Sequence, residues 1–227
     1  MRIEVLAATF WEVRETISAL GLRRQDAGTY SGGGKHAVSL HLTGIGPDRV
    51  GRAMPDILSS KPDLVIGTGF AGALQEGIRA GDLVLDTARS DSKWSDLISE
   101  IAHKKRIRCH AGAFFSSPKI LAKADEKRKT GAETGAIAID MESHSIFEAL
   151  NPRKIPFLSI RAVSDEIHQD LPLSAMSIDS TGKIGPGTIW RMLTHPGDWP
   201  GIFRLGRSAS RAEKSLSNIL KEFISHV

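Results

Sequence analysis

The chain is poor in cysteine and aromatic residues, and several classes of protein are disfavoured as a result. Its 227 residues include a single cysteine, Cys109, and 6% aromatic residues. One cysteine cannot form an internal disulfide, so we expect a cytoplasmic protein. No apolar run approaches the roughly 20 residues that a membrane-spanning helix needs. His144 and His168 belong to no pattern with metal-ligand spacing, and we therefore predict no metal.

The charge balance is mildly basic, with a formal net charge of +4. A basic chain can indicate a nucleic acid partner. Lysine and arginine are, however, spread along this chain, and the basic run at residues 104–108 is short and lacks interleaved aromatic residues. We therefore interpret the charge as a solvated basic face and expect no nucleic acid partner.

Apolar runs predict buried strands, and the 3.6-residue periodicity between them predicts helices. The predicted strands are residues 3–8, 37–42, 63–67, 82–86, 109–112, 136–139 and 156–163, with a hairpin turn at 32–34 after residues 29–30. The predicted helices are residues 9–21, 48–59, 118–130, 140–150 and 208–224. This alternation is typical of an α/β fold whose sheet is covered by helices on both faces, and the length favours one domain.

Three acidic residues follow predicted strands closely. Glu12 and Glu142 lie near the starts of predicted helices, and Asp165 directly follows the strand that ends at Val163. In such folds ligands bind beyond the carboxyl ends of the strands, so the three carboxylates could face one crevice. The alternative for each acid is purely structural, because an acidic side chain in the first turn of a helix stabilises the helix dipole.

Two glycine-rich segments, residues 43–46 and 68–72, lie at predicted strand-to-helix junctions. Such turns let backbone N–H groups approach an anion or a ribose closely. The alternative is a tight turn that requires glycine for its conformation. Neither segment matches the dinucleotide fingerprint or the P-loop.

The order of four segments resembles the nucleoside phosphorylase and methylthioadenosine/S-adenosylhomocysteine nucleosidase superfamily. They are Thr-Gly-Ile-Gly at 43–46, Thr-Gly-Phe-Ala-Gly at 68–72, Asp-Met-Glu-Ser at 140–143 and Arg-Ala-Val-Ser-Asp at 161–165, and Glu12 precedes them. The resemblance covers roughly residues 1–170. It implies a single-domain three-layer α/β/α fold with a central mixed, mostly parallel twisted sheet, in which residues 171–227 form a C-terminal helical extension. Residues 140–144 and 171–207 most resemble the hopanoid-associated phosphorylase, or adenosylhopane nucleosidase, branch.

The resemblance implies an enzyme that cleaves the N-glycosidic bond of an adenosine-type purine nucleoside. Asp165 would protonate the purine while Ser164 orients its carboxyl group, and Glu142 would accept hydrogen bonds from the ribose hydroxyls. Met141 would pack against the ribose, and either Phe114 or Phe115 would stack on the base. The implied substrate-binding residues are Ala8, Ile45, Phe70, Ala71, Gly72, Phe114, Phe115, Met141 and Ser164.

Glu12 bears on whether the bond is hydrolysed or phosphorolysed. In the nucleosidases that the chain resembles, a glutamate at this position handles the attacking water. Phosphorolysis needs cationic donors around phosphate, and no arginine lies in either glycine-rich segment, although Arg49 and Arg52 follow the first. Hydrolysis is therefore favoured; no cofactor is expected, and phosphate would be a co-substrate only in a phosphorylase.

Three departures from the family pattern concern the substrate. Phe70 stands where the nucleosidases carry a small serine, and Asp140 replaces a glutamate. The stretch between Asp86 and Cys109 is shorter than in typical nucleosidases, where it helps to close the 5′ side of a neighbouring subunit's site. A more open 5′ side suits a bulky 5′ substituent such as an adenosyl lipid, but equally a damaged or different site.

Several alternatives stay open on sequence alone. One is a methylthioadenosine/S-adenosylhomocysteine nucleosidase, and another is a non-catalytic nucleoside-binding protein on the same fold. The resemblance implies a homodimer. Residues 190–205, with Arg191, Arg204 and Arg207, could contact a membrane surface, although a helix packed on its own domain is the favoured interpretation.

Overall fold

The computed structural model describes residues 1–171 and 199–227. The strands are β1 (Arg2–Ala7), β2 (Arg23–Arg24), β3 (Thr29–Gly32), β4 (Ala37–Leu42), β5 (Leu64–Gly67), β6 (Phe70–Ala73), β7 (Leu83–Asp86), β8 (Cys109–Gly112), β9 (Phe114–Ser116), β10 (Ala138–Asp140) and β11 (Phe157–Asp165). The helices are α1 (Phe10–Ala19), α2 (Pro47–Ser59), α3 (Ser92–Lys105), α4 (Ala124–Thr134), α5 (Ser143–Leu150) and α6 (Trp199–His226), and a 3-10 turn, Asn151–Arg153, follows α5.

The strands form a mixed, mostly parallel sheet in the order β2-β3-β4-β1-β5-β11-β6-β10-β9. The central pairings of β1 with β4 and β5, and of β11 with β5 and β6, are parallel. β7 pairs antiparallel with β11 and carries β8 beside it in parallel. The long strand β11 therefore connects both parts of the sheet, and its carboxyl end lies beside β6.

Helices cover both faces of the sheet, as the sequence predicts. On one face α1, α3 and α6 contribute to a single apolar core that includes Val13, Ile98 and Phe223. On the other face α2 and α5 pack in a second core, where Met54 and Ile146 are buried. The strands β1, β5 and β11 supply residues to both cores, because successive side chains of a strand point to opposite faces. The predicted α/β class is thus confirmed.

α1 is fixed against α6 by a buried acid. Glu213 of α6 accepts a hydrogen bond from the backbone N–H of Glu15 at 2.9 Å and pairs with Arg14 at 3.0 Å. This contact holds the helix that carries Glu12 at the carboxyl end of β1. The C-terminal helix thereby supports the candidate site from outside it.

Some predicted helix bounds were wrong, and one helix was missed. α4 begins at Ala124 rather than at residue 118, α5 begins at Ser143, and the described part of α6 extends back to Trp199. No helix was predicted for residues 92–105, where α3 lies. The signal was present, because Trp94, Ile98 and Ile101 recur at helical spacing and are buried.

The second glycine-rich segment was assigned the wrong structure. Residues 68–72 do not lead from a strand into a helix; after a turn at Gly69 the chain enters β6. β6 pairs in parallel with β11 and antiparallel with β10, so Phe70, Ala71 and Gly72 are sheet residues. The short, glycine-rich segment 68–72 resembles a turn when the sequence is considered locally. Residues from Phe70 onward form a strand because they pair with β10 and β11.

The predicted C-terminal extension is partly outside the described residues. Residues 172–198, which include Arg191 and most of the predicted membrane-contact segment, lie outside that range. Phe203 of α6 is 71% exposed. None of the described helices is both long and apolar enough to cross a membrane. That the whole chain forms one domain stays a prediction.

Candidate active site

Glu12 lies in the first turn of α1 and is buried. Its Oε2 accepts a hydrogen bond from the backbone N–H of Thr9 at 2.7 Å, which closes a capping box at the start of the helix. Its Oε1 accepts a bond from the backbone N–H of Phe70 at 3.1 Å. The carboxylate therefore caps its own helix and also reaches the start of β6.

Glu142 is the residue immediately before α5 and is also buried. Its Oε1 accepts a hydrogen bond at 3.0 Å from the backbone N–H of Gly46, the residue that precedes α2. The first glycine-rich segment thus presents its N–H to a carboxylate of the protein itself. A sequence separation of 96 residues is bridged by this one bond.

Arg161, which the sequence analysis did not select as a site residue, links these acids. Its side chain is 1% exposed, and Nη1 donates to the backbone carbonyl of Thr68 at 2.6 Å. Nη2 donates to Asp140 Oδ2 at 2.7 Å and lies 3.4 Å from Glu142 Oε2. The signal in the sequence was an arginine inside an otherwise apolar strand, since a buried charge is seldom left unpaired.

Asp140 is the acid that pairs most fully with this guanidinium. Ser116 Oγ donates to its Oδ1 at 2.6 Å, and both the backbone N–H at 2.9 Å and the hydroxyl of Ser143 donate to its Oδ2. Burial alone would raise the pKa of Asp140, but Arg161 and these hydrogen bonds outweigh burial and lower it. Asp140 is therefore the structural counter-ion of Arg161.

The two glutamates have a different electrostatic environment. Burial raises the pKa of Glu12, although Arg161 and the backbone bonds from Phe70 and Thr9 oppose it. Burial raises the pKa of Glu142 to about 7, where Arg161 again opposes it and the neighbouring acids Asp140 and Glu12 add to it. A carboxyl group that titrates near neutrality can exchange a proton at physiological pH, which is a frequent property of catalytic groups.

Gly69 makes room for this cluster. A Cβ at this position would lie 2.7 Å from Arg161 Nη1 and 2.8 Å from Glu12 Oε1. Its φ of +137° is in addition a backbone conformation that side-chain-bearing residues rarely adopt. The segment 68–72 therefore carries glycine here so that the guanidinium and the carboxylate can reach the backbone.

Asp165 ends β11 and lies beside Gly72 of β6. Ser164 Oγ donates to its Oδ1 at 2.7 Å, and the buried Lys127 ammonium of α4 donates to its Oδ2. A Cβ at Gly72 would lie 3.0 Å from Asp165 Oδ2. Gly69 and Gly72 are three residues apart, roughly 10 Å of extended chain, so one short segment borders both Glu12 and Asp165.

The two phenylalanines of β9 lie in different environments. Phe114 is 4% exposed and belongs to a core cluster with Val84 and Val163. Phe115 is half-buried and is paired in register with Ile139, which pairs with Gly72 and, through it, with Asp165. Register therefore places Phe115 in the same row of the sheet as Asp165. The sequence left this choice open.

The remaining predicted binding residues lie around the same edge. The carbonyl of Ala8 accepts a hydrogen bond from the N–H of Gly44 at 3.0 Å, which joins the end of β1 to the first glycine-rich segment. Ile45 and Met141 are half-buried next to Gly46 and Glu142 respectively. The carbonyl of Ala71 lies 3.4 Å from Ser164 Oγ. Within the described residues, no group of three or more histidine, cysteine or acidic side chains is placed to hold a metal.

Comparisons with known proteins point to one superfamily. Residues 85–184 match the phosphorylase superfamily. The 5′-methylthioadenosine/S-adenosylhomocysteine nucleosidase of Actinobacillus succinogenes is 28% identical over 131 residues, which are 46% of this chain and 57% of that protein. The same-named protein of Haemophilus influenzae is 29% identical over 132 residues, 47% of this chain and 58% of that one. The chain thus spans a little over half the length of these curated relatives.

Solved structures match over almost the whole chain. The S-adenosylhomocysteine nucleosidase of Streptococcus pyogenes has a TM-score of 0.72 at 18% identity, covering 98% of this chain and 97% of its own. The futalosine hydrolase of Helicobacter pylori has a TM-score of 0.73 at 16% identity, covering 98% of both chains. The chain therefore has the nucleosidase-like α/β fold, and its residues 85–184 match the phosphorylase superfamily.

Proposed function

We propose that the protein is an enzyme that hydrolyses the N-glycosidic bond of an adenosine-type purine nucleoside. The observation that carries this proposal is the clustering of three buried acids at the carboxyl edge of the sheet. Glu12 and Asp165 border the segment 68–72, and Glu142 lies 3.4 Å from Arg161, which also donates to the carbonyl of Thr68. Ligands of open α/β sheets bind at this edge. The names of the sequence relatives support the same reaction class.

Each acid has a task that matches its position. Cleavage builds positive charge on the ribose and negative charge on the departing purine. Glu142 binds the ribose hydroxyls, Glu12 accepts the proton of the attacking water, and Asp165, oriented by Ser164, delivers a proton to the base. Phe115 is the aromatic residue that we assign to the purine, because it shares a sheet row with Asp165. Met141, Ala8 and Ile45 line the sugar side.

Hydrolysis is favoured over phosphorolysis because the buried cations Arg161 and Lys127 are already paired with carboxylates of the protein. A phosphate co-substrate needs cationic donors, but Arg161 is already bonded to Asp140 and Lys127 to Asp165. The N–H of Gly46 at the start of α2, which could bind an anion, is bonded to Glu142. These three donors are therefore already paired with the protein's own carboxylates.

We also propose that the substrate carries a bulky apolar 5′ substituent. Trp11 is 59% exposed and Phe10 38% exposed, directly before Glu12, and the Phe10 ring lies 6.3 Å from that of Tyr30. An exposed aromatic patch beside a polar site supports an apolar extension of the ligand. This fits the hopanoid-associated branch and an adenosylhopane substrate. The second candidate, hydrolysis of methylthioadenosine or S-adenosylhomocysteine, is supported by the names of the relatives.

We propose a cytoplasmic homodimer that needs no metal or other cofactor and that consists of one domain, residues 1–227. A weak membrane contact through the segment before and including Phe203 and Arg204 would give access to a lipid substrate. Sedimentation measurements and vesicle flotation test the dimer and the membrane contact independently of catalysis.

The experiment that tests the function is release of adenine by the pure protein. The substrates are 5′-deoxyadenosine, methylthioadenosine, S-adenosylhomocysteine and a 5′-alkyl adenosine, each with and without phosphate. We expect release without phosphate that falls at least about 100-fold in Asp165→Asn, since a general acid contributes on the order of 100-fold or more. Asp96→Asn, an exposed aspartate on α3, is the matched control and should retain full activity.

Each other outcome has a distinct meaning. Release that requires phosphate would replace the hydrolase by a phosphorylase. A preference for methylthioadenosine over the alkyl substrate would favour the second candidate. Adenosine binding with no release from any substrate would contradict an enzyme and favour a nucleoside-binding protein.

A further inference from the structure

The buried Lys127 has no role in the chemistry described so far. It lies on α4 with a side chain that is 0% exposed. Its ammonium donates to Asp165 Oδ2, to the backbone carbonyl of Gln169 at 2.9 Å and to that of Glu166 at 3.2 Å. These contacts use all three donors of the ammonium group. The lysine is thus fixed against the acid that the proposed function needs.

This contact bears on the proton that the reaction requires. A cation in contact with a carboxyl group favours the charged form of that group. Asp165 can protonate a departing purine only if a proton reaches its carboxyl group. The proton must then be available next to it, and the ammonium group that touches Oδ2 holds one.

We propose that Lys127 is a positioning residue that supplies, through Asp165, the proton that the purine takes up; this inference rests on the proposed function. As the C1′–N9 bond breaks, its electron pair passes to the purine, and N7 takes a proton from the Asp165 carboxyl group. Asp165 receives that proton from the Lys127 ammonium, which becomes a neutral amine. The attacking water adds hydroxide to C1′, and the proton it loses balances the one that the base gains.

Among the described charged groups near Lys127, Asp165 is the one that forms an ion pair with it. From the sheet, Asp165 lies beside Gly72 and Ile139, which carry no charge. Asp170 is exposed and acts on Lys127 only at a distance, since it is bonded to Lys123 at 2.9 Å. The other titratable groups of the two elements around Lys127 are Asp125, Glu126, Arg128, Lys129 and Glu133 on α4, and Glu166 and His168 after β11.

A purely structural role is the competing explanation. Lys127 joins α4 to residues 166–169 through two carbonyls, and Asp170 caps the same helix through the N–H of Ala124 at 2.8 Å. If joining these segments were its only task, replacing Lys127 would lower stability or activity equally at every pH. A role in proton supply changes the pH dependence instead.

The test is the pH profile of kcat/KM for adenine release from a nucleoside between about pH 5 and 10. We expect Lys127→Met to lose activity on the alkaline side, because its proton must come from the carboxyl group of Asp165 alone. Above the controlling pKa the rate falls roughly tenfold per pH unit, so the loss relative to the natural protein should be at least about tenfold greater at pH 9 than at pH 6. Lys127→Arg keeps the cation and should shift the alkaline limit upward.

The controls separate the possible outcomes. Lys123→Met removes the exposed ion pair at the residue just before α4, four residues before Lys127, and should leave the profile unchanged. A uniform loss in Lys127→Met with an unchanged alkaline limit would overturn the proposal. If that variant does not fold, Lys127→Arg decides, since an alkaline limit equal to that of the natural protein would also overturn it. A natural protein that releases no base at any pH would instead refute the proposed function, and the inference with it.

Discussion

Glu142→Gln is expected to make the protein more stable at alkaline pH while removing its activity. Glu142 is buried, and burial raises its pKa from 4.5 to about 7. Between these values the unfolded chain loses a proton that the folded protein keeps. The free energy of unfolding therefore falls as pH rises from about 4.5 to about 7. Above pH 7 the contribution of Glu142 to the free energy of unfolding stays constant.

The size of the effect follows from the same shift. At about 1.4 kcal/mol per pH unit, the interval corresponds to about 3 kcal/mol of lost stability. Glutamine resembles the protonated glutamate in shape and keeps an oxygen for the N–H of Gly46. We therefore expect the two proteins to be equally stable near pH 4 and the variant to be more stable by about 3 kcal/mol at pH 8. For a chain of this length that is about 6 to 12 °C in Tm.

The assay is urea unfolding at a series of pH values, followed by circular dichroism and checked by thermal unfolding. Glu148→Gln, an exposed glutamate on the same helix, is the matched control and should follow the natural protein at every pH. A stability difference that does not change with pH would show that Glu142 does not change its protonation state differently in the folded and unfolded chains. A natural protein that gains stability over the variant as pH rises would also contradict the prediction, since this would mean that Glu142 is held in its charged form.

Two further predictions concern glycines that admit no side chain. Gly69→Ala should lower activity about 100-fold, because its Cβ would displace the Arg161 guanidinium and displacements of about 1 Å can cost this much; nucleoside hydrolysis measures it, and normal activity would contradict the cluster geometry. Gly131→Ala should cost about 1 to 3 kcal/mol, because its Cβ would overlap the carbonyl oxygen of Leu74; thermal unfolding measures it, and an unchanged Tm would show that α4 can move away. Gly33→Ala, which meets nothing within 4 Å, is the control for both.

The strands and helices that the sequence predicted well are those with a strong local pattern. β1 and β11 are mostly apolar runs that end in small or acidic residues, and both were found within one or two residues of their predicted bounds. α3 was missed although its apolar spacing is regular, with Trp94, Ile98 and Ile101 buried on one side. β6 was misassigned, because a strand of four residues, three of them small, carries no clear periodicity of its own.

In the candidate site, too, local features could be predicted and long-range contacts could not. The placement of Glu12, Glu142 and Asp165 near strand ends could be predicted, because parallel strands present their carboxyl ends at one edge. The partners of these acids could not be predicted. Lys127 is 38 residues from Asp165 in sequence, and its spacing on an otherwise polar helix indicates an exposed lysine.

The fold class and the strand ends that hold the candidate site could be predicted from the chain alone, because hydrophobic periodicity and strand ends are local properties. Three features depended on how the chain packs. They are the acids that share Arg161, the contact between Lys127 and Asp165, and the position of Phe115 rather than Phe114 in the row of Asp165. These are pairings across strands and between a helix and the sheet. A buried charge takes whichever partner the packing brings within hydrogen-bond distance, and that choice is made only when the sheet and its helices assemble.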